Sequence, residues 1–381
     1  MAMKPDRPVV DGVVHHVYVH IPFCHRVCPY CSFYKHTPGA TDIGAFIRAL
    51  FAELDYQRAR IPLLPHTLYF GGGTPSMLSP SHTAALLDGL RERLDLSQLE
   101  EWTIEANPRT FDTAKARRWR EAGVTRVSLG VQSWNPRHLA TLGRDHSPEQ
   151  ADEAFACLRE AGIPMINIDH MFALPGQSLA EWQDDLDRTL ALAPEHIATY
   201  NLTYEEDTEF MKRFERGEFT QDADEDAGFF QLSHDKLSAA GYAHYETSNF
   251  ASISPRDCRS RHNRAYWIGN DYLGIGPGAV STVHGERWTS LADTARYTEC
   301  ALRFGLAATE HESISDDAWL TERIALELRT SDGLRRNLLE DRALALAADL
   351  AGDGLLEITP THVRLTDRGR LVADAVAVAL L

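Results

Sequence analysis

The segment YVHIPFCHRVCPYCSF, residues 18–33, places three of the six cysteines of the chain within eight residues. Cys24, Cys28 and Cys31 form a C-x3-C-x2-C pattern directly after an apolar, β-branched run that predicts a strand. Three thiolates at this spacing can wrap a loop around one 4Fe-4S cubane and bind three of its four irons. The pattern therefore predicts a cluster whose fourth iron is open to a chelating ligand.

Zinc is the alternative metal for these cysteines. Structural zinc sites use four ligands, commonly as paired C-x2-4-C or H-x3-5-H elements. Here only His25 within the loop or a distant cysteine could supply the fourth ligand. The other cysteines, Cys157, Cys258 and Cys300, are scattered singly, which is unlike a disulfide framework. We expect an iron-sulfur cluster, and a non-catalytic zinc or regulatory protein stays the alternative.

Short apolar runs alternate with amphipathic segments, such as 45–60 and 148–162, through the first two thirds of the 381-residue chain. This βαβ rhythm predicts an α/β fold with a parallel sheet and helices outside it. About six units are visible, fewer than the eight of a closed barrel, so we expect a partial (β/α)6 barrel. The predicted strands are residues 13–21, 67–72, 102–107, 126–132, 165–175 and 196–203.

The pattern changes after about residue 250, where residues 251–315 carry a glycine-rich, aromatic stretch that predicts loops and short elements packed on the sheet. Residues 316–381 predict three helices, a hairpin and a last helix, which together resemble a small, mainly helical winged-helix unit. The acidic residues at 221–230 predict the start of a solvated helix. We therefore expect three parts: residues 1–250 with the cluster, residues 251–315, and residues 316–381.

Composition excludes some partners and compartments. The 38 basic and 55 acidic residues give a formal charge of −17, which would repel a polyphosphate backbone, so nucleic acid is not an expected partner. No apolar run is long enough to span a bilayer, and residues 1–14 carry charges and prolines where an export signal needs an apolar stretch. We expect a protein of the reducing cytoplasm, associated with membranes only through its partners.

The cysteine pattern, with aromatic Phe33 two residues after the last cysteine, resembles the signature of the radical S-adenosylmethionine (SAM) superfamily. The surrounding sequence is similar to the branch that contains oxygen-independent coproporphyrinogen III oxidases and the HemW heme chaperones. This resemblance covers nearly the whole chain and implies a partial barrel that holds a 4Fe-4S cluster and SAM. In that family a reduced cluster donates an electron to SAM and cleaves it to methionine and a 5'-deoxyadenosyl radical.

Further motifs carry the same resemblance. The run FGGGTPS, residues 70–76, ends a predicted strand with glycines that let backbone groups approach a charged ligand closely. Ligands of parallel barrels gather at the C-terminal ends of different strands, although polar residues there also cap helices. The SAM contacts that the resemblance implies are Tyr18, Gly72, Gly73, Thr74, Glu105, Gln132, Arg144 and Asp169. A second SAM would contact Thr74, Thr203 and Val280.

Two departures separate the chain from the oxidases. Phe33 stands where the oxidase pattern has another cysteine, and the lead-in before the first predicted strand is short, so porphyrinogen decarboxylation is in doubt. The stretch RHNRAYW fits the H-N-x-x-Y-W signature of the chaperone group, at His262, Asn263, Tyr266 and Trp267. An imidazole can bind heme iron, while aromatic rings offer flat apolar surface to a porphyrin.

We therefore expect a heme chaperone that binds the cluster, SAM and one heme, and passes heme to an acceptor protein, which could be membrane-bound. A flavodoxin or ferredoxin would supply electrons. A porphyrinogen decarboxylase or a related radical SAM methyltransferase is the enzymatic alternative, and no catalytic residue is assigned. His170 and Cys258 remain other candidate heme ligands, and a buried structural role remains the alternative for the H-N-x-x-Y-W motif. The C-terminal unit is acidic to neutral, so we expect a lid or docking role there, not DNA binding.

Overall fold

The computed structural model describes residues 12–381. The expectation about an export signal concerns residues 1–14, of which the first eleven lie outside this range. Within it, no helix combines the length and the apolar character that crossing a membrane requires.

Six parallel strands and the helices between them form the body of the molecule. The first strand is rich in β-branched and aromatic residues, and most helices start at a Ser, Asp, Asn or Thr whose side chain accepts a backbone N–H. The strands are β1 (Val14–Ile21), β2 (Leu63–Gly72), β3 (Glu101–Ala106), β4 (Arg126–Gln132), β5 (Met165–Phe172) and β6 (His196–Asn201). The helices are α1 (Ile43–Arg58), α2 (Pro80–Arg93), α3 (Thr113–Ala122), α4 (Pro136–Thr141), α5 (Pro148–Glu160) and α6 (Leu179–Leu192).

The next elements extend the sheet at both edges. They are α7 (Glu209–Glu215), α8 (Ala223–Ala239), β7 (Ala243–Glu246), β8 (Asn249–Ala251), α9 (Arg261–Trp267), β9 (Leu273–Ile275), β10 (Val280–Val283), β11 (Glu286–Ser290), α10 (Thr294–Phe304) and β12 (Ala308–Ser313). The sheet order is β7-β8-β6-β5-β4-β3-β2-β1-β9. The seven strands that start with β6 in this order and end with β9 at the edge are parallel to their neighbours among these seven. The sheet is open, so the prediction of a partial parallel barrel is confirmed. The prediction that the acidic residues at 221–230 begin a helix is also confirmed, because α8 starts there.

One prediction for residues 251–315 was wrong in part. The stretch expected to form loops and short elements packed on the sheet contributes β9, which pairs with β1 through Val17 and Leu273 as a member of the main sheet. Its three residues are all buried. A strand this short and buried on both faces leaves no alternating pattern for sequence reasoning to detect.

The C-terminal segment has its own apolar core, which includes Trp319, Leu334 and Val363. Its elements are α11 (Asp316–Glu327), β13 (Leu334–Arg335), α12 (Asp341–Gly352), β14 (Leu356–Ile358), β15 (His362–Leu365), α13 (Asp367–Arg370) and α14 (Ala373–Leu380). The predicted hairpin is present, but the middle one of three predicted helices is only a two-residue strand and a 3-10 turn at Arg336–Leu338. Gly333, at a φ of 80°, breaks that segment.

A buried carboxylate joins α1 to the far edge of the sheet. Glu53 is fully buried and accepts hydrogen bonds from Gly276 N (2.9 Å), Ser290 Oγ (2.9 Å) and Tyr297 Oη (2.5 Å). Burial raises the pKa of Glu53 to about 6. The three donors come from the segment after β9, from β11 and from α10, so one side chain fixes residues 276–297 against the barrel.

We expect Glu53→Ala to lower the free energy of unfolding by about 3 kcal/mol, because it leaves buried donors without an acceptor. Urea unfolding followed by circular dichroism measures this change. The matched control Glu92→Ala, on the exposed side of α2, should change the free energy by less than about 0.5 kcal/mol. A Glu53→Ala variant as stable as the control would contradict the role of this carboxylate.

Candidate functional site

The inner face of the sheet is unusually polar. Residues two apart along a strand point to the same side, and on β3, β4 and β5 these include Glu105, Ser128, Gln132 and Asp169. They line a cavity of about 460 Å³ that also reaches the cysteine loop between β1 and α1. Of the residues predicted from the sequence, those that line it are Cys24, Cys28, Cys31, Gly72, Gly73, Thr74, Glu105, Gln132, Arg144, Asp169, Thr203 and Asn263.

The cysteine loop folds back on the end of β1. Cys24 N donates to His36 O (3.0 Å), and His36 N donates to Pro22 O (2.8 Å), so the loop closes on itself. All three cysteines are free thiols of intermediate exposure. Burial raises the pKa of Cys24 and of Cys31.

The donor set fits a cluster better than a single ion. Among residues 12–381, no three His, Cys, Asp or Glu side chains converge closely enough to hold one metal ion. A zinc ion draws all its ligands to one centre at about 2.0–2.3 Å, whereas a cubane binds each thiolate at a different iron. Thiolates are also the soft ligands that select iron-sulfur clusters. Three thiols around one cavity, without a common centre, are therefore compatible with a 4Fe-4S cluster.

The glycine-rich turn lies directly against the cysteine loop. Gly73 N donates to Ile21 O and Thr74 N donates to Phe23 O, each at 2.8 Å. A Cβ atom on Gly73 would come within 2.7 Å of Phe23 O, and Gly72 has a φ of 106°. Only glycine allows both the approach and this conformation, so the turn can pack directly against β1 and the cysteine loop.

Two partly buried acids face the cavity. Glu105 accepts hydrogen bonds from Tyr69 Oη (2.8 Å) and Gly72 N (3.2 Å), and burial raises its pKa to about 7. Asp169 accepts from Ser128 Oγ (2.7 Å) and Asn167 Nδ2 (2.6 Å), and burial raises its pKa to about 6. A cationic ligand would favour the ionised form of both carboxyls.

Backbone strain also lies at this site. Gln132, the last residue of β4, has a φ of 70°, in the left-handed region that a residue with a side chain rarely adopts. Such strain persists where the surrounding structure holds it, and it clusters at ligand sites. The conformation places Gln132 on the cavity wall.

Tyr18 and Val280 are not among the residues that line the cavity. Tyr18 Oη lies 3.0 Å from His20 Nδ1, and its ring stacks on Tyr69. Val280 pairs with Thr289 in the β10–β11 hairpin. Their assignment to SAM stays a prediction.

The H-N-x-x-Y-W motif forms α9, and only Asn263 of its four named residues reaches the cavity. His262 is 1% exposed, and its ring nitrogens lie 2.7 Å from Thr67 Oγ1 and 3.1 Å from Tyr266 Oη. Burial lowers the pKa of His262 to about 3. In this conformation the imidazole has no free nitrogen for iron, so heme binding there would require it to leave these partners.

The other candidate heme ligands are also buried. His170 Nε2 lies 2.6 Å from Thr189 Oγ1, and Cys258 Sγ lies 3.5 Å from Arg256 O. Neither lines the cavity.

Sequence reasoning missed Asn107 and Tyr69, both of which line the cavity. Asn107 follows β3 directly, two residues after Glu105, and its place at a strand end was a signal for it. Tyr69 lies in the middle of β2, where an aromatic residue is ordinarily part of the core.

Comparison with known proteins agrees with this geometry. A profile of the radical SAM superfamily matches residues 18–189, and a profile of the HemN C-terminal domain matches residues 314–372. The structure of coproporphyrinogen III oxidase (HemN) from Escherichia coli superposes with a TM-score of 0.82 at 23% identity, covering 96% of this chain and 90% of that one. At that identity the likeness shows the fold alone.

Relatives with higher sequence identity are named heme chaperone HemW. The heme chaperone HemW of Mycobacterium tuberculosis (strain ATCC 25618 / H37Rv) is 37% identical over 382 residues, covering 99% of this chain and 97% of the relative. The heme chaperone HemW of Lactococcus lactis subsp. lactis is 35% identical, covering 93% of this chain and 92% of the relative. This chain belongs to the HemW family of heme chaperones within the radical SAM superfamily.

Proposed function

We propose that the protein is a heme chaperone, which binds a 4Fe-4S cluster, SAM and one heme and transfers the heme to an acceptor protein. The observation that carries this proposal is the cavity that unites three cysteine thiols, a glycine-rich turn and two partly buried acids in a chain of the HemW family. Its acceptor, which could be membrane-bound, and a reductant such as flavodoxin or ferredoxin are part of the proposal.

Each group of cavity residues has a proposed task. Cys24, Cys28 and Cys31 hold the cluster, which when bound supplies an electron and one iron open to chelation. Gly72 and Gly73, which line the cavity in a turn packed on the cysteine loop, are proposed to offer their backbone groups to the charged end of SAM. The remaining proposed SAM residues, which complement its charges and hydrogen-bonding groups, are Tyr18, Thr74, Glu105, Gln132, Arg144 and Asp169, with Thr203 and Val280 for a second SAM.

Heme is proposed to bind at α9, through His262, Asn263, Tyr266 and Trp267. Support comes from the H-N-x-x-Y-W pattern and from the position of Asn263 on the cavity wall. Because His262 now contacts Thr67 and Tyr266, the proposal requires α9 or its surroundings to rearrange when heme enters.

We expect hemin, titrated anaerobically into the reconstituted protein, to give a Soret band that saturates near one equivalent. His262→Ala should weaken the affinity about tenfold or more without loss of iron and sulfide from the cluster. The control His311→Ala, on exposed β12, should bind hemin as the unchanged protein does. Linear, non-saturating absorbance would overturn the chaperone proposal, and an unchanged His262→Ala affinity would overturn only the placement of heme.

We also expect SAM to bind more tightly as the pH rises from 6 to 8. Burial holds the pKa of Glu105 at about 7 and that of Asp169 at about 6, so both carboxyls lose their protons in this range and then complement the sulfonium cation. If SAM binds only when one such carboxyl is deprotonated, the Kd for SAM should fall about tenfold between pH 6 and pH 8. Equilibrium dialysis with labelled SAM measures it, and Glu105→Gln should flatten the curve. A Kd that is independent of pH, or that increases, would refute the role of the acids.

A further inference from the structure

Asn107, the first residue after β3, lies between two cavity residues that approach different cysteines. Its Nδ2 atom is 2.9 Å from Thr74 Oγ1, and its Oδ1 atom is 2.5 Å from Arg144 Nη2. Its backbone is fixed as well, since Asn107 N donates to Ser76 Oγ (3.2 Å) and Asn107 O accepts from Thr110 Oγ1 (2.7 Å). One amide therefore joins the turn after β2 to the loop that carries Arg144.

The direction of these hydrogen bonds follows from chemistry. A guanidinium has donors and no acceptor, so the atom of Asn107 that faces Arg144 must be the amide oxygen. The NH₂ group then faces Thr74 and donates to its hydroxyl oxygen. With its oxygen already accepting from this amide, the Thr74 hydroxyl is left to donate its own proton elsewhere.

Both partners of Asn107 aim donors at cysteine sulfur. Thr74 Oγ1 lies 3.5 Å from Cys24 Sγ, and Arg144 Nη1 lies 3.6 Å from Cys28 Sγ. Thr74 is only 3% exposed, so water competes little for its proton. The amide thus directs one donor at each of two thiols.

The fold leaves space for this arrangement at Gly130. A Cβ atom there would come within 2.6 Å of Asn107 Oδ1 and within 3.3 Å of Arg144 Nη2. Arg144 Nη2 also donates to Gly130 O (2.8 Å). The glycine therefore lets the amide and the guanidinium meet directly beneath the cysteine loop.

We propose that Asn107 is a positioning residue that holds Thr74 and Arg144 as hydrogen-bond donors to Cys24 and Cys28 and thereby raises the reduction potential of the cluster. This inference rests on the proposed binding of the cluster by these cysteines. Donors to ligand sulfur stabilise the extra negative charge of a reduced cluster, and outer contacts of this kind tune metal centres.

The test is a mediated redox titration of the reconstituted full chain without SAM, followed by electron paramagnetic resonance. Asn107→Asp keeps an acceptor for Arg144 but removes the donor to Thr74, whose hydroxyl then turns to the new carboxylate and leaves Cys24. We expect the equilibrium to shift at least tenfold toward the oxidised cluster, which for one electron is about 59 mV. A potential equal to that of the unchanged protein would overturn the inference.

A double-mutant cycle separates the effect of the Asn107–Thr74–Cys24 hydrogen bonds on the potential from the effect of the added negative charge. Thr74→Val should lower the potential by itself, and adding Asn107→Asp to it should change the potential much less than Asn107→Asp does alone. If Asn107→Asp lowered the potential by the same amount in the Thr74→Val background, the added charge alone would explain the change, which contradicts the positioning role of Asn107. Asn337→Asp, the same charge change at an exposed residue of the Arg336–Leu338 turn, should leave the potential unchanged. If the unchanged protein forms no cluster, the proposed function fails first, and iron and sulfide analysis shows this independently.

Discussion

The close approach of the glycine turn after β2 to the chain that enters the cysteine loop is the contact on which the cavity depends. Gly73 and Thr74 donate to Ile21 O and Phe23 O, which extends the β1–β2 ladder beyond both strands. This contact fixes the loop of Cys24 over the strand ends. It also brings the Thr74 hydroxyl to the Cys24 sulfur, so the same short segment shapes the glycine turn and the surroundings of the cysteines.

Helix α9 connects this cavity to the C-terminal segment. At one end, Glu101 of β3 accepts from His262 N (3.1 Å) and pairs with buried Arg126 (3.0 Å). At the other end, Arg323 of α11 donates to Trp267 O (3.1 Å). A rearrangement of α9 on heme binding would therefore move residues that contact both the barrel wall and α11. Such contacts could transmit the change to the C-terminal segment, for which we expect a lid or docking role.

The sequence predicted the six parallel strands, because each has its own apolar pattern and is followed by an amphipathic helix. It also identified the cysteines, the glycine turn and several polar residues of the cavity, because they lie inside recognisable motifs, although most of the cavity lining was not predicted. It could not predict β9, which is too short for a pattern. Nor could it find the contacts of Asn107 with Thr74 and Arg144, since these depend on how three separate loops meet and on the absence of a side chain at Gly130.

The most direct test of the cluster assignment is iron and sulfide analysis, with Mössbauer spectroscopy, of the anaerobically reconstituted protein and of Cys28→Ala. We expect about four irons and four sulfides in the unchanged chain, and loss of the cubane signal in the variant, because two irons would then lack a thiolate. Cys157→Ala, which alters a cysteine of α5 that does not line the cavity, should retain the cluster. Zinc without sulfide in the unchanged protein, or an intact cubane in Cys28→Ala, would contradict the assignment.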